Sequence, residues 1–199
     1  MAESTIAVTE GTAGKYLHTY SRSIASTTRE DQATFPAEYP LATYTVAATM
    51  RANTASSHLL ALQGDGTNYV RVRRITIRQA NILSSASTLA IQVLRTSTAG
   101  SGGTAVSGRA FDQGDTTPYA GSVVTLPSSK GTEGDQLLFF RLGLSASNPL
   151  TNSVEWREDD KSKPLIVGNS TANGLCIKNV ASAATELDVE VEFVTSAYL

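Results

Sequence analysis

Apolar and polar residues alternate most cleanly at 186–194, ELDVEVEFV. Leu187, Val189, Val191 and Phe193 share one face, and Glu186, Asp188, Glu190 and Glu192 share the other, which is the period of a half-buried strand. A second stretch, YVRVRRITIRQ at 69–79, keeps that period with one slip. Val70 and Val72 fall on one face and Arg71 and Arg73 on the other, yet Ile75 and Ile77 return to the apolar face one residue late. One extra residue near Arg73 and Arg74 restores the phase and predicts a β-bulge. Burying each of the four apolar side chains is worth about 1.5–3 kcal/mol, which favours the bulge over a turned-out isoleucine.

Arg71, Arg73, Arg74 and Arg78 repel one another, and so do the four carboxylates at 186–192. Opposite charges directly across a strand pair stabilise by roughly 0.2–1 kcal/mol each. The economical expectation is that the two strands are neighbours with a charge ladder on their outer face. Two other uses of the stripe are a contact between subunits of a homo-oligomer and a grip on a nucleic-acid backbone. The last lacks the interleaved aromatic platform of single-strand binders, because Tyr69 stands alone.

Further strands are expected at LATYTVAATM, HLLALQ, TLAIQVLRT, SVVTL, QLLFFRLGL, VEWRE, PLIVG and GLCIKNV. Turn clusters separate them: GDGTN, LPSSKGTEGD, SASNPLTN, DDKSK and NSTAN. STAGSGGTAVSG at 97–108 reads as a polar, mobile loop. NILSSASTLA is the best helical candidate, and its serines argue for a loop. Many short strands without a convincing helix predict an all-β fold, an antiparallel β-sandwich of jelly-roll or immunoglobulin-like type over residues 41–199. The strand count leans to the jelly roll.

Residues 1–40 differ. They show no sustained period, are rich in Ser, Thr, Ala and Gly, and scatter their large apolar residues. A disordered tail is one reading. The aromatics favour an extended arm that orders on a neighbouring molecule, with Tyr16, Leu17, Tyr20, Ile24 and Phe35 as its contacts to a partner or a sibling subunit.

Composition narrows the chemistry. Hydrophobic residues are 41% of the 199, enough for a real core, while the charged fraction of 17% is low against an average near about 25%. A formal net charge of −2 argues against general nucleic-acid binding. No apolar run reaches the length of a membrane span and no leader pattern opens the chain, so it reads as soluble. The single cysteine, Cys176, sits among apolar neighbours and reads as a small buried hydrophobe. His18 and His58 belong to no metal-ligand spacing, so neither a metal nor a cofactor is expected. Glu158, Asp159 and Asp160 in WREDDKSK read as an exposed charged turn, lacking the alternation of a calcium loop. GDGTN is a tight turn, with no Lys-Ser/Thr after it to make a phosphate loop. No constellation marks an enzyme.

MAESTIAVTEGTAGKYLHTYSR resembles the N-terminal arms of tailed-bacteriophage virion proteins. LATYTVAAT, VRVRRITI, the GGTAV loop and terminal DVEVEFV, in that order, look like small capsid-associated proteins of such phages. The resemblance implies a non-enzymatic decoration (cement) protein. It would be made in the host cytoplasm, sit on the outer surface of the head and clamp the major capsid protein. It would also be a homo-oligomer, a trimer being favoured. Competing expectations are a receptor- or glycan-binding fibre head, for which only Trp156 and Tyr119 hint at a sugar platform, and a tail or head-completion component.

Overall fold

A computed structural model of the chain describes residues 42–114, 117–148, 152–159 and 164–196 with their side chains, and the backbone of three strands within 2–32. The chain divides into two units, Met1–Tyr39 and Pro40–Leu199.

In the first unit, β1 (Ala2–Glu10), β2 (Ala13–Ile24) and β3 (Thr27–Gln32) form an antiparallel meander in the order β1-β2-β3. Its ladders run from Ala2↔Ser21 to Glu10↔Ala13 and from Thr19↔Gln32 to Ile24↔Thr27. The sequence shows no alternation here. Backbone pairing needs only compatible residues, and Thr, Ile, Val and Tyr suit extended chain. Tyr16, Leu17, Tyr20 and Ile24 lie on β2; their side chains, and Phe35 entirely, are outside the described residues.

Among the described residues the second unit has twelve strands: β4 (Thr43–Arg51), β5 (His58–Gln63), β6 (Tyr69–Gln79), β7 (Ser87–Thr96), β8 (Thr104–Ala105), β9 (Arg109–Ala110), β10 (Val123–Thr125), β11 (Glu133–Leu144), β12 (Ser153–Arg157), β13 (Leu165–Val167), β14 (Gly174–Asn179) and β15 (Glu186–Ser196). They build two antiparallel sheets, β12-β6-β15-β4-β9 with β13 also on β6, and β11-β7-β14-β5-β10-β8. Stripped of short strands, these are β12-β6-β15-β4 and β11-β7-β14-β5. The chain steps between the sheets at every long strand except from β7 to β11, which are neighbours. That is the strand order of a jelly roll rather than an immunoglobulin sandwich.

Alternation explains the core. Val46, Val70, Val72, Ile75, Ile77, Leu187, Val189, Val191 and Phe193 from one sheet meet Leu60, Leu62, Leu89, Ile91, Val93, Leu142, Leu175 and Ile177 from the other, all buried in one cluster. Trp156 on β12 packs against it as well. Glu158 departs from the expected exposed turn: its side chain is only 4% accessible, because it folds back onto arginines of β6.

Residues 97–132 join β7 to β11 and finish both sheets. β10 and β8 extend one beyond β5, and β9 extends the other beyond β4. Tyr119 pins this connection. Its ring meets Phe193 edge-on at 4.8 Å and lies 5.7 Å from Tyr44, and its hydroxyl donates to the carbonyl of Gln63. The glycines expected to make a mobile loop serve close approach instead. Gly103 has φ of +80°, and a Cβ there would lie 2.4 Å from the carbonyl oxygen of Thr125. Ser101 bridges Ser129.

Candidate binding surface at the arginine bulge

β15 pairs with β6 on one side and β4 on the other, so its acidic face lies at the middle of the outer surface of that sheet. The β6–β15 register runs Asp188↔Arg78, Glu190↔Thr76, Glu192↔Arg74, then jumps to Phe193↔Val72. Arg73 is the extra residue. Val70, Val72, Ile75 and Ile77 are all fully buried as a result, and the consecutive Arg73 and Arg74 both border one surface depression. Re-aiming a side chain in this way is what a bulge does.

The far edge of β6 is shared. β12 pairs with Arg74–Arg78 and β13 with Val70–Val72, leaving Arg73 between them. The carbonyl of Arg73 accepts the amide of Glu158, at 2.8 Å. Glu158 then takes Arg71 Nε on one carboxylate oxygen at 2.7 Å and faces Arg73 Nε with the other at 3.0 Å. Nothing in WREDD announces this; only the register of β12 on a bulged β6 carries Glu158 there.

The eight residues of the expected ladder therefore divide. Arg74 forks between Glu190 at 2.7 Å and Glu192 at 3.2 Å. Arg71 and Arg73 turn to Glu158 instead. Glu186 receives Arg51 of β4 at 3.1 Å, and Asp188 accepts the Thr49 hydroxyl at 2.5 Å. Arg78 lies opposite Asp188 with no ion pair among the described residues. Exposed pairs of this kind add little stability singly, so Arg51–Glu186 is weak and the half-buried Arg74 fork counts for more.

The chemistry-bearing residues gather on the opposite sheet. His58 Nε2 lies 3.0 Å from Glu133 Oε1 and 3.5 Å from Cys176 Sγ, while Lys178 holds the other Glu133 oxygen at 2.6 Å. Thiol and carboxylate thus address the same ring nitrogen, whereas a nucleophile–base–orienter relay needs one on each. Burial pushes the Cys176 thiol up to about 12, aided by the Glu133 charge, so it stays protonated at neutral pH. Burial also holds His58 below its ordinary value, although Glu133 opposes this. In GDGTN, burial favours protonated Asp65, but amide hydrogen bonds from Asn68 and Thr67 prevail and lower its pKa. Among the described residues no group of three His, Cys, Asp or Glu is placed to hold a metal ion.

Tyr119 and Trp156 form no exposed aromatic platform, since both pack on the core. Two rings among the described residues are exposed: Phe139 on β11, under the Arg141 guanidinium, and Phe111, beyond β9 and beside the arginines of the bulge. No protein-family model matches the chain, and no curated protein matches it significantly.

Proposed function

We propose that this chain is a non-enzymatic structural protein of a phage virion. In this reading it decorates the outer surface of the head and stabilises contacts between major capsid proteins, as a homo-oligomer. The observation that carries the reading is the division of labour along the chain. A jelly-roll body with its own core spans Pro40–Leu199, and a separate strand-rich unit spans Met1–Tyr39. Jelly rolls are a recurrent architecture of viral shells. The order of motifs from the N-terminal segment to DVEVEFV supplies the virion setting.

The physics suits a clamp. The connection at 97–132 covers one edge of each sheet, which limits edge-to-edge aggregation and leaves faces and the N-terminal unit for contact. Repetition over a lattice turns modest contacts into high avidity. The test is co-sedimentation of purified heads with the full chain and with residues 41–199. The full chain should saturate the heads, and the shortened one should remain folded and stay in the supernatant. Undiminished decoration by residues 41–199 would remove the role given to the first unit. Failure of the full chain to bind heads would remove the function.

A further inference from the structure

A depression of about 640 Å³ opens on the outer face of the β12-β6-β15-β4-β9 sheet, where Arg73, Arg74, Arg157, Glu158, Glu192 and Phe111 meet. The bulge creates it, because consecutive arginines border it and Arg157 lies directly across from Arg74. Three guanidinium groups and two carboxylates line it, and Glu155 and Glu190, which pair with Arg157 and Arg74, stand beside it.

Hydrogen-bonding capacity is left over. Among the described residues, Arg73 gives only Nε to Glu158, and Arg157 gives only one terminal nitrogen to Glu155, at 3.3 Å. A guanidinium carries about five N–H donors. Arg74 Nε and Glu158 Oε2 are buried within ion-pair distance of Glu192 and Arg73, yet neither contact is aligned as a hydrogen bond. Those two atoms are enclosed, so what the lining offers a ligand is the spare donors of the exposed Arg73 and Arg157. Phe111 adds a ring that is 56% exposed.

We infer that this depression binds a carboxylate-bearing saccharide of the uronic or sialic acid class. The carboxylate takes the spare N–H groups of Arg73 and Arg157, the geometry guanidinium groups favour. Sugar hydroxyls accept further N–H groups of the same two exposed guanidinium groups. The apolar face of the sugar ring lies against Phe111. A phosphodiester chain fits poorly, because Glu158 and Glu192 repel successive phosphates and the net charge of −2 supplies no attractive field. The volume falls within the usual range of small-ligand sites. The inference goes beyond the virion reading and does not depend on it.

The experiment is saturation-transfer NMR with isothermal titration on the full chain, using D-glucuronate and N-acetylneuraminate, with glucose and acetate as controls. At least one acid should bind with a Kd of about 1 mM, and glucose and acetate at least about tenfold more weakly. Arg157→Gln and Phe111→Ala change exposed side chains outside the core and should keep the wild-type melting temperature. Each should weaken binding about tenfold. The inference is overturned if neither acid binds at about 50 mM, if glucose or acetate binds equally well, or if both variants bind like wild type.

Discussion

Glu158→Gln keeps the shape of the side chain and removes its charge. The carboxylate is 4% exposed and meets Arg71 Nε at 2.7 Å and Arg73 Nε at 3.0 Å. The arginine side chains are 34% and 45% exposed, so both regain water when the charge goes. The loss should therefore fall below the roughly 3–5 kcal/mol seen when a fully buried pair loses one member. A hydrogen bond to a charged group contributes about 1.5–3 kcal/mol, and glutamine keeps one acceptor for Arg71. The expected destabilisation is about 2 kcal/mol, or about 4–8 °C in melting temperature for a domain of this size. Urea unfolding followed by tryptophan fluorescence measures it, since Trp156 lies two residues away on β12. The loss should change little on adding salt, because the carboxylate is screened only weakly. A loss under about 0.5 kcal/mol, the range of an ordinary surface change, would mean that Glu158 is solvated and that β12 does not close onto the bulge.

Tyr119→Phe leaves the aromatic contacts and strips the hydroxyl from the carbonyl of Gln63; it should cost about 1–3 kcal/mol in urea unfolding. Cys176 should resist Ellman's reagent until the chain unfolds, because its thiol is enclosed and held near 12. Burial keeps His58 from protonating in the fold, with Lys130 and Lys178 adding to this and the facing Glu133 opposing it; Cys176 lies against the same ring nitrogen. The unfolded chain then binds the extra proton as pH falls below 6.5, so the fold loses stability there. Glu133, held below its ordinary value mainly by Lys178 and His58 against burial, adds a second loss in the carboxylate range. His58→Gln should flatten the first part of a plot of urea midpoint against pH and reduce the second, which Lys178 still sustains.

The parts of the fold readable in the sequence are those in which side chains alternate against a buried face. ELDVEVEFV and YVRVRRITIRQ carry enough apolar area to fix phase, so both the strand pair and the bulge at Arg73 could be read from them. β1 to β3 carry no such period, and β8 and β9 are two residues each. Their places come from backbone pairing to distant strands. The candidate surface was half visible. Charge repulsion along two strands predicted that β6 and β15 would meet, but not that Arg71 and Arg73 would turn to Glu158 or that Glu186 would take Arg51. Those partners depend on β12 and β4, whose register no local pattern reports. His58, Glu133 and Cys176 stand far apart in the chain, so their meeting is a property of the topology alone.

The proposed virion role is tested most directly by cryo-electron microscopy of intact phage particles, at a resolution that traces strands. The account predicts jelly-roll density on the outer surface of the head, repeated at junctions between major capsid proteins, with residues 1–40 reaching the shell or a neighbouring copy. Density confined to the tail or fibres, or none on the particle, would contradict it.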